Sequence, residues 1–323
     1  MSTLPVVAAA VVSALRAGSP PIPPDPVGDY DFPDPAAAYF DGVYYAFGGS
    51  IMMESSDLAL WSPTRHYLAR PAPWADAPGY GGAPGAPVKL TDDSYLMTFQ
   101  AEEKNCTRPV CTCIGAAHAS HPAGPYAPTS APITCMEEND GAIDSSPRQI
   151  SGRGGGLHVY WKSTGWNSLE RPSQLWGARL HGNGTLASEP VNLLNQTAAW
   201  EAKDGVGCIE GPALLERVIG GRRTFHIFYS GGDWTAGLDG TPYSIGYAEC
   251  QTALGPCAKK TQEAPWFGPT YNGSVGTGGQ DFFTDGAGAQ WIVFHAWKKG
   301  QAGYDHGGAR TVRFKPMSVM PDL

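Results

Sequence analysis

The chain has few basic residues, and they are not clustered. Among its 323 residues there are 22 Lys and Arg against 30 Asp and Glu, which gives a formal net charge of −8. Proteins that bind nucleic acid concentrate positive charge on one surface, so we exclude nucleic acid and expect a neutral partner. No apolar run in the sequence approaches the roughly 20 residues that a membrane-spanning helix needs, and we expect no membrane partner.

Long amphipathic stretches without helix breakers are also missing from the sequence. The chain contains 42 Gly and 29 Pro, and aromatic residues make up 11% of it. Frequent breakers between short apolar, aromatic runs are typical of many short strands. The sequence therefore predicts an all-β protein, with a length that allows one large domain or two ordinary ones.

A zinc-binding cysteine pattern is absent. Cys111 and Cys113 are separated by one residue, the wrong spacing for a zinc knuckle, and no second Cys/His pair follows at a suitable distance. We therefore predict no metal site from the cysteines. Up to three disulfides with one thiol left over are predicted instead, and the seven cysteines are Cys106, Cys111, Cys113, Cys135, Cys208, Cys250 and Cys257.

The N-terminal part of the sequence points to export. Residues 1–20 hold an apolar run followed by small residues, which resembles a secretory signal without its basic region, the alternative being an irregular tail. Residues 21–28 are proline-rich and are interpreted as a linker, and residues 29–320 as a single folded domain. Four glycosylation sequons, at Asn105, Asn183, Asn195 and Asn272, also favour a secreted, extracellular glycoprotein.

One strand pattern recurs five times along the chain. Apolar, aromatic strands begin near Tyr44, Tyr95, Leu157, Phe225 and Trp291, and each follows a turn-rich lead-in. Ile-Gly-x-Ala followed by Gly-Pro occurs twice with the same offsets, beginning at residues 114 and 245. Sheets of about four strands repeated at such periods indicate a five-bladed β-propeller, and a two-sheet sandwich is the alternative.

Three acids lie where the first strands of blades one, three and four begin. They are Asp34, Asp144 and Glu210, and the corresponding places in blades two and five hold Ala86-Pro87 and Gly279-Gln280. First strands line the propeller axis, so these carboxylates should converge, repel one another and raise the pKa of at least one. Such a set suits an inverting glycosidase, which needs one protonated and one ionised carboxyl. The alternative is that the acids cap turns or pair with a buried arginine.

The sequence resembles glycoside hydrolase family 43 over about residues 29–317. The matching segments are Phe32-Pro33-Asp34-Pro35, Asp41-Gly42-Val43-Tyr44-Tyr45, Ser56-Asp57-Leu58 with Trp61, Ala142-Ile143-Asp144, Glu210-Gly211-Pro212 and Phe294-His295-Ala296-Trp297. The resemblance implies a five-bladed propeller enzyme acting on arabinose- and xylose-containing glycans. It also implies that Asp34 is the general base, Glu210 the general acid, and Asp144 the residue that orients the acid and modulates its pKa.

Three residues are candidates for substrate binding, one from the resemblance and two from their positions in the repeat. Arg310 matches an arginine that reaches the pocket in the family, although by default it would be a surface residue. Trp166 and Trp234 follow the second strands of blades three and four, where they could stack on a sugar or simply pack.

The chain departs from the family where many members bind an axial ion. Many members open blade five with Gly-x-Gly-His, a histidine linked to that ion, whereas this chain has Gly276-Thr277-Gly278-Gly279-Gln280. We therefore expect no calcium and no organic cofactor. His295 lies in the second strand and is interpreted as a packed core histidine.

These observations predict a monomeric, exo-acting α-L-arabinofuranosidase or β-xylosidase that cleaves plant cell-wall polysaccharide or oligosaccharide with inversion. Within enzymes the alternatives are an endo-1,5-α-L-arabinanase or a transferring fructosidase of a related five-bladed clan. A non-catalytic glycan-binding propeller is an alternative of another class. A purely structural or protein-interaction propeller is disfavoured, because it gives no reason for acids at three strand entrances.

Overall fold

The computed structural model describes residues 23–76, 81–91, 93–107, 111–152, 155–163, 172–203, 206–235, 239 and 241–323. The predicted signal segment at residues 1–20 and the predicted sugar-stacking Trp166 lie outside the described residues.

The described strands form five antiparallel, four-stranded sheets, which we call blades one to five in chain order. Blade one contains β1 (Ala36–Phe40), β2 (Val43–Gly48), β3 (Ile51–Ser55) and β4 (Ser62–His66). Blade two contains β5 (Gly82–Thr91), β6 (Ser94–Glu102), β7 (Thr112–Ala119) and β8 (Ala127–Pro128). Blade three contains β9 (Ala142–Ile150), β10 (Gly156–Ser163), β11 (Gln174–Arg179) and β12 (Val191–Asn195).

A two-stranded hairpin of β13 (Ala202–Lys203) and β14 (Val206–Gly207) precedes blade four. Blade four contains β15 (Ile209–Ile219), β16 (Arg222–Gly231), β17 (Ser244–Cys250) and β18 (Cys257–Lys259). Blade five contains β19 (Thr270–Tyr271), β20 (Ser274–Thr284), β21 (Gln290–Lys298) and β22 (Thr311–Pro316). Short 3₁₀ helices cover Glu137–Asn139, Ala199–Glu201, Tyr304–His306 and Met317–Val319.

The five sheets are arranged in a ring. The inner strands β1, β5, β9, β15 and β20 contact one another in that order, and β20 returns to β1. A sandwich would not close such a circle, so the predicted five-bladed propeller is confirmed. Among the described residues, no helix has the length and apolar character needed to cross a membrane.

The hydrophobic core is divided into five large clusters, one between each pair of neighbouring blades. Phe47 of blade one packs with Phe99 of blade two, for example, and Ile227 of blade four with Tyr160 of blade three, all four fully buried. Burial of one such side chain contributes roughly 1.5–3 kcal/mol. Packing between blades therefore holds the ring rigid around its axis.

The two Ile-Gly-x-Ala segments occupy the same place in blades two and four. Gly115 lies in β7 and Gly246 in β17, and each is covered by an indole ring. A Cβ at Gly115 would come within 2.5 Å of Trp74, and one at Gly246 within 2.7 Å of Trp200. Glycine is needed here because a tryptophan lies directly on the strand.

The N-terminal segment completes the outer side of blade five. The Val27 N–H donates to the Val312 carbonyl at 3.0 Å, and the Phe32 N–H donates to the Arg310 carbonyl at 2.9 Å. Val27 and Phe32 are buried. The proline-rich stretch before Asp29 is therefore packed along β22 in its described part, so the chain holds blade five from both ends of the sequence.

The predicted disulfides are confirmed. They join Cys106 to Cys111, Cys113 to Cys135 and Cys250 to Cys257. Cys208 is the free thiol, and it is buried. A group formed by Glu103, Cys113 and Cys135 has the proximity of a metal site, but the disulfide removes the thiolates that a metal would need.

Candidate active site

Each inner strand, or the segment leading into it, contributes one residue with a positive φ angle to the end of the central channel. We call this residue the entrance residue of its blade. These residues are Asp34 (φ 49°), Ala83 (φ 35°), Asp144 (φ 56°), Gly211 (φ 57°) and Gly279 (φ 59°). They line one small cavity at the end of the axis. The left-handed backbone is unfavourable for residues other than glycine, and aspartate, with its short polar side chain, tolerates it better than most.

This register corrects two expectations. Blade two opens with Ala83-Pro84 rather than Ala86-Pro87, because irregularities around Gly85 in the β5–β6 pairing move the entrance three residues earlier. Glu210 lies one residue before the entrance residue Gly211, so its place differs from that of Asp34 and Asp144. The acids of blades one, three and four nevertheless meet at the same end of the channel, where their charges interact.

Glu210 is held by two hydrogen-bond donors. Lys162 Nζ lies 2.8 Å from Oε2, and the Tyr243 hydroxyl donates to Oε1 at 2.7 Å. Burial favours the neutral acid, but the Lys162 charge and these hydrogen bonds outweigh it, so the pKa of Glu210 is lowered.

Asp144 has the opposite balance. Its carboxyl accepts a hydrogen bond from the Gly211 N–H at 3.2 Å, and its own N–H donates to Gln100 Oε1 at 2.9 Å. Burial and the charge of Glu210 raise the pKa of Asp144 to about 7, against the opposing effect of Lys162. Asp144 can thus carry a proton at neutral pH.

Asp34 lies beside a histidine and an arginine. Its N–H donates to His295 Nδ1 at 3.0 Å, and Arg310 Nη1 lies 3.2 Å from Oδ2. Burial raises the pKa of Asp34, and Arg310 opposes the rise. Burial also lowers the pKa of His295 well below its usual value, so its ring is neutral and Nδ1 can accept the hydrogen bond.

Arg310 is enclosed by aromatic rings. Its guanidinium lies 4.8 Å from the Trp234 ring centroid and 5.5 Å from that of Tyr304, and its Nε donates to the Tyr304 hydroxyl. The structure thus places Arg310 beside Asp34, and Trp234 on the guanidinium of Arg310. Trp234 is also a packing residue, since it stacks on Trp297 at 6.3 Å. Tyr304 remains 46% exposed beside Arg310.

Four hydrogen bonds that fix the entrances of the blades come from second strands, and the sequence did not predict them. A polar residue near the end of the second strand in blades two to five reaches the entrance of the next blade: these residues are Gln100, Lys162, Ser230 and His295. Gln100, Ser230 and His295 each accept the N–H of the positive-φ residue that opens the next blade. The signal is present in the sequence, because each interrupts an apolar strand four or five residues after its start at residues 95, 157, 225 or 291.

The axial residues do not fit a divalent cation. Gln280 Oε1 accepts from the Ser230 hydroxyl at 2.7 Å, and its Nε2 donates to the Gly211 carbonyl at 2.8 Å, which ties blade five to blade four. The next residue, Asp281, pairs with the guanidinium of Arg148 from β9. Arg148 also donates to the Leu214 carbonyl at 3.1 Å. The donor set therefore surrounds a positive group supplied by the chain itself.

The channel below the acids is narrow. The cavity lined by Asp34, Asp144, Gly211 and Gly279 has a volume of about 40 Å³, enough for a water molecule and too small for a sugar. Arg310 adjoins this cavity through its ion pair with Asp34.

The chain matches known proteins over nearly its full length. The model of glycosyl hydrolases family 43 matches residues 23–322. A thermostable family-43 glycoside hydrolase is 22% identical, with 90% of this chain and 91% of that chain covered and a TM-score of 0.72. The α-L-arabinofuranosidase from Lactobacillus brevis is 19% identical, with 90% and 94% covered and a TM-score of 0.68.

A third solved structure is the endo-1,4-β-xylanase from Bacteroides thetaiotaomicron VPI-5482. It is 20% identical, with 89% of this chain and 91% of that chain covered and a TM-score of 0.67. A comparison with curated protein sequences found no match. At these identities the solved structures show the shared fold, and the family model shows the membership. The chain belongs to glycosyl hydrolases family 43, and it is an inverting O-glycosyl hydrolase that acts on a carbohydrate.

Proposed function

We propose that this enzyme releases terminal arabinofuranosyl or xylosyl units from plant cell-wall glycans. The observation that carries the proposal is the convergence of Asp34, Asp144 and Glu210, with Arg310 paired to Asp34. The names of the similar structures, an arabinofuranosidase and a xylanase, support the sugar class.

In the proposed reaction, Asp34 removes a proton from water as that water attacks the anomeric carbon. Glu210 donates a proton to the leaving oxygen as the glycosidic bond breaks, and Asp144 modulates the pKa of Glu210. Arg310 orients the Asp34 carboxylate, because it lies between that carboxylate and the aromatic rings of Trp234 and Tyr304. The two rings offer faces on which a sugar can stack.

Sugar release tests the proposal directly. Wild type and Asp34→Ala are incubated with arabinan, arabinoxylan and xylo-oligosaccharides, and the products are separated by chromatography. We expect single arabinose or xylose units from wild type and at least a thousandfold less from Asp34→Ala, with Asp41→Asn, an exposed acid in the β1–β2 turn, retaining full activity. Internal cleavage to longer oligosaccharides would favour an endo-1,5-α-L-arabinanase. Binding without release by folded wild type would overturn the proposal in favour of a glycan-binding propeller.

We also propose that the enzyme is a secreted, extracellular, monomeric glycoprotein. Three disulfides support an oxidising compartment. The four sequon asparagines, Asn105, Asn183, Asn195 and Asn272, are all exposed. Expression in a secreting eukaryotic host should yield protein in the medium whose mass falls on treatment with an endoglycosidase, and an unchanged mass would contradict glycosylation.

A further inference from the structure

Lys162 breaks the pattern that the other second-strand residues follow. Gln100, Ser230 and His295 accept the entrance N–H of the next blade, whereas an ammonium has no lone pair and cannot accept one. The N–H of Gly211, which a residue at the Lys162 position would otherwise take, donates to the Asp144 carboxyl instead at 3.2 Å. Lys162 therefore makes no contact with the entrance N–H and instead brings a positive charge to Glu210 and Asp144.

The ammonium of Lys162 is deeply buried and faces one carboxylate and one thiol. The residue is 2% exposed, its Nζ lies 2.8 Å from Glu210 Oε2, and Cys208 Sγ lies 4.0 Å away. An unpaired buried ammonium would be strongly unfavourable, so Lys162 and Glu210 are stable as a charged pair.

The groups that interact with this pair come from blades one, three and four. Asp144 faces it from β9, Cys208 from the residue before β15, Tyr243 from the residue before β17, and Asp34 from two residues before β1. Both oxygens of Glu210 already accept hydrogen bonds from Lys162 and Tyr243. A proton on Glu210 Oε2 would break the ion pair with Lys162, and a proton on Oε1 would require the Tyr243 hydroxyl to turn from donor to acceptor. A proton on Asp144 Oδ1 leaves the hydrogen bond from the Gly211 N–H to Oδ2 in place.

We propose that Lys162 is a positioning residue that keeps Glu210 ionised in the free enzyme and leaves the catalytic proton on Asp144. The inference rests on the proposed roles of the three acids and deepens them. The raised pKa of Asp144 and the lowered pKa of Glu210 agree with it.

The proton inventory of one turnover then balances. In the bound complex the Asp144 proton passes to Glu210, which delivers it to the leaving oxygen as the glycosidic bond breaks. Asp34 gains one proton from the attacking water and later releases it to solvent, while Asp144 regains one. Lys162 keeps its three protons throughout and only decides which acid holds the proton before the substrate arrives.

Carboxyl titration by NMR tests the proton position without substrate. Two samples of wild type carry ¹³C-carboxyl label, one in aspartate and one in glutamate. We expect one aspartate carboxyl to titrate near pH 7 and to vanish in Asp144→Asn, and no glutamate to titrate above its usual range. A glutamate carboxyl that titrates near pH 7 and vanishes in Glu210→Gln would overturn the proposal. This result does not depend on which sugar is cleaved, so it separates this inference from the proposed function.

The pH dependence of catalysis tests the part played by Lys162. The alkaline limb of kcat/KM is measured with arabinotriose or xylotriose, whichever wild type cleaves. Lys162→Met removes an opposite charge next to the acid pair, so we expect that limb to move up by about one pH unit. Lys162→Arg keeps the charge and should leave the limb near that of wild type.

A merely structural role for Lys162 predicts a different outcome. Lys162→Met would then lower kcat/KM by the same factor at every pH, with the limb unmoved, and the proposal would fail. If Lys162→Met does not fold, Tyr243→Phe gives a second arm, since loss of a neutral donor should shift the limb in the same direction by less. An alkaline limb that moves down in either variant would contradict the proposal.

Discussion

His295 holds Asp34, the proposed general base, through its backbone and not through charge. Its neutral ring accepts the Asp34 N–H and so fixes an aspartate in the left-handed conformation, whose carboxylate would face the attacking water in the proposed reaction. In His295→Leu that buried N–H loses its acceptor, a change worth about 1–3 kcal/mol. We expect kcat/KM to fall by about 5- to 160-fold, since each 1.36 kcal/mol is a factor of ten.

His295→Asn is the matched variant, because an amide oxygen can stand where Nδ1 stands. Steady-state kinetics should place its kcat/KM between those of wild type and His295→Leu. Equal losses in both variants would show that ring packing against Tyr243, 5.9 Å away, matters more than the hydrogen bond.

Asp144 should cost the protein stability at neutral pH. Its pKa is raised from 3.8 to about 7 in the folded state, so above the unfolded pKa the folded chain holds a proton that the unfolded chain releases. Below about pH 4 both states hold this proton, and Asp144 causes no loss of stability. As the pH rises from about 4 through 7, the folded state becomes progressively less stable relative to the unfolded state. Asp144→Asn does not titrate, and we expect it to raise the free energy of unfolding by about 2–4 kcal/mol at pH 8 relative to wild type.

Urea denaturation at pH 4 and pH 8 measures this difference. The gain in Asp144→Asn should be small at pH 4 and large at pH 8, and Asp41→Asn should differ little from wild type at both. A gain that is the same at both pH values would contradict the protonated Asp144.

The sequence predicted the three acids but not the side chains that contact them. Asp34, Asp144 and Glu210 follow turn-rich lead-ins that a single sequence displays. Lys162, Tyr243 and His295 act across blade boundaries, so their roles depend on which strand end lies beside which entrance. That register is fixed by packing between blades and not by any local pattern.

The N-terminal segment, which completes the outer side of blade five, is held by buried charges. Asp25 Oδ1 lies 3.1 Å from Arg313 Nε, and its Oδ2 lies 2.9 Å from Lys315 Nζ, with Arg313 1% and Lys315 6% exposed. Asp25→Asn leaves two buried cations without their carboxylate. Removal of one partner from a buried pair costs about 3–5 kcal/mol, and we expect a loss of that size in the free energy of unfolding.

Chemical denaturation checks this prediction, with Glu189→Gln as a control that removes the same charge from an exposed position. The control should change the free energy of unfolding by less than about 0.5 kcal/mol. Similar small changes in both variants would show that the ion pairs of Asp25 contribute little to the stability of the fold.

The blades were predictable from aromatic spacing, whereas two features of individual elements were not. The entrance of blade two is displaced by irregular pairing around Gly85, and bulges of this kind leave no mark in an apolar alternation. The N-terminal segment is proline-rich, and the sequence therefore predicted a linker. Its packing on blade five could not be predicted, because its hydrogen bonds go to β22 and the residue before it, nearly 300 residues away in sequence.

The inner strands of all five blades surround the axis of the molecule, and the guanidinium of Arg148 places a positive charge among them. From β9 it reaches Asp281 on β20 and the Leu214 carbonyl on β15. Burial lowers the pKa of Arg148 to about 10, so it is charged at neutral pH. We propose on this ground that the enzyme needs no axial calcium, because a divalent ion next to a guanidinium would be repelled.

Chelation and a double-mutant cycle test this proposal together. EDTA followed by dialysis should leave the Tm and kcat/KM of wild type unchanged, and added calcium should not raise either. Arg148→Met strands the Asp281 carboxylate in the channel and should cost about 3 kcal/mol, whereas Arg148→Met with Asp281→Asn should cost clearly less, since neither charge remains. A wild-type Tm that falls in EDTA and returns with calcium would show that a metal is still needed beside Arg148. Additive losses in the cycle would show that Arg148 and Asp281 do not stabilise the ring as a pair.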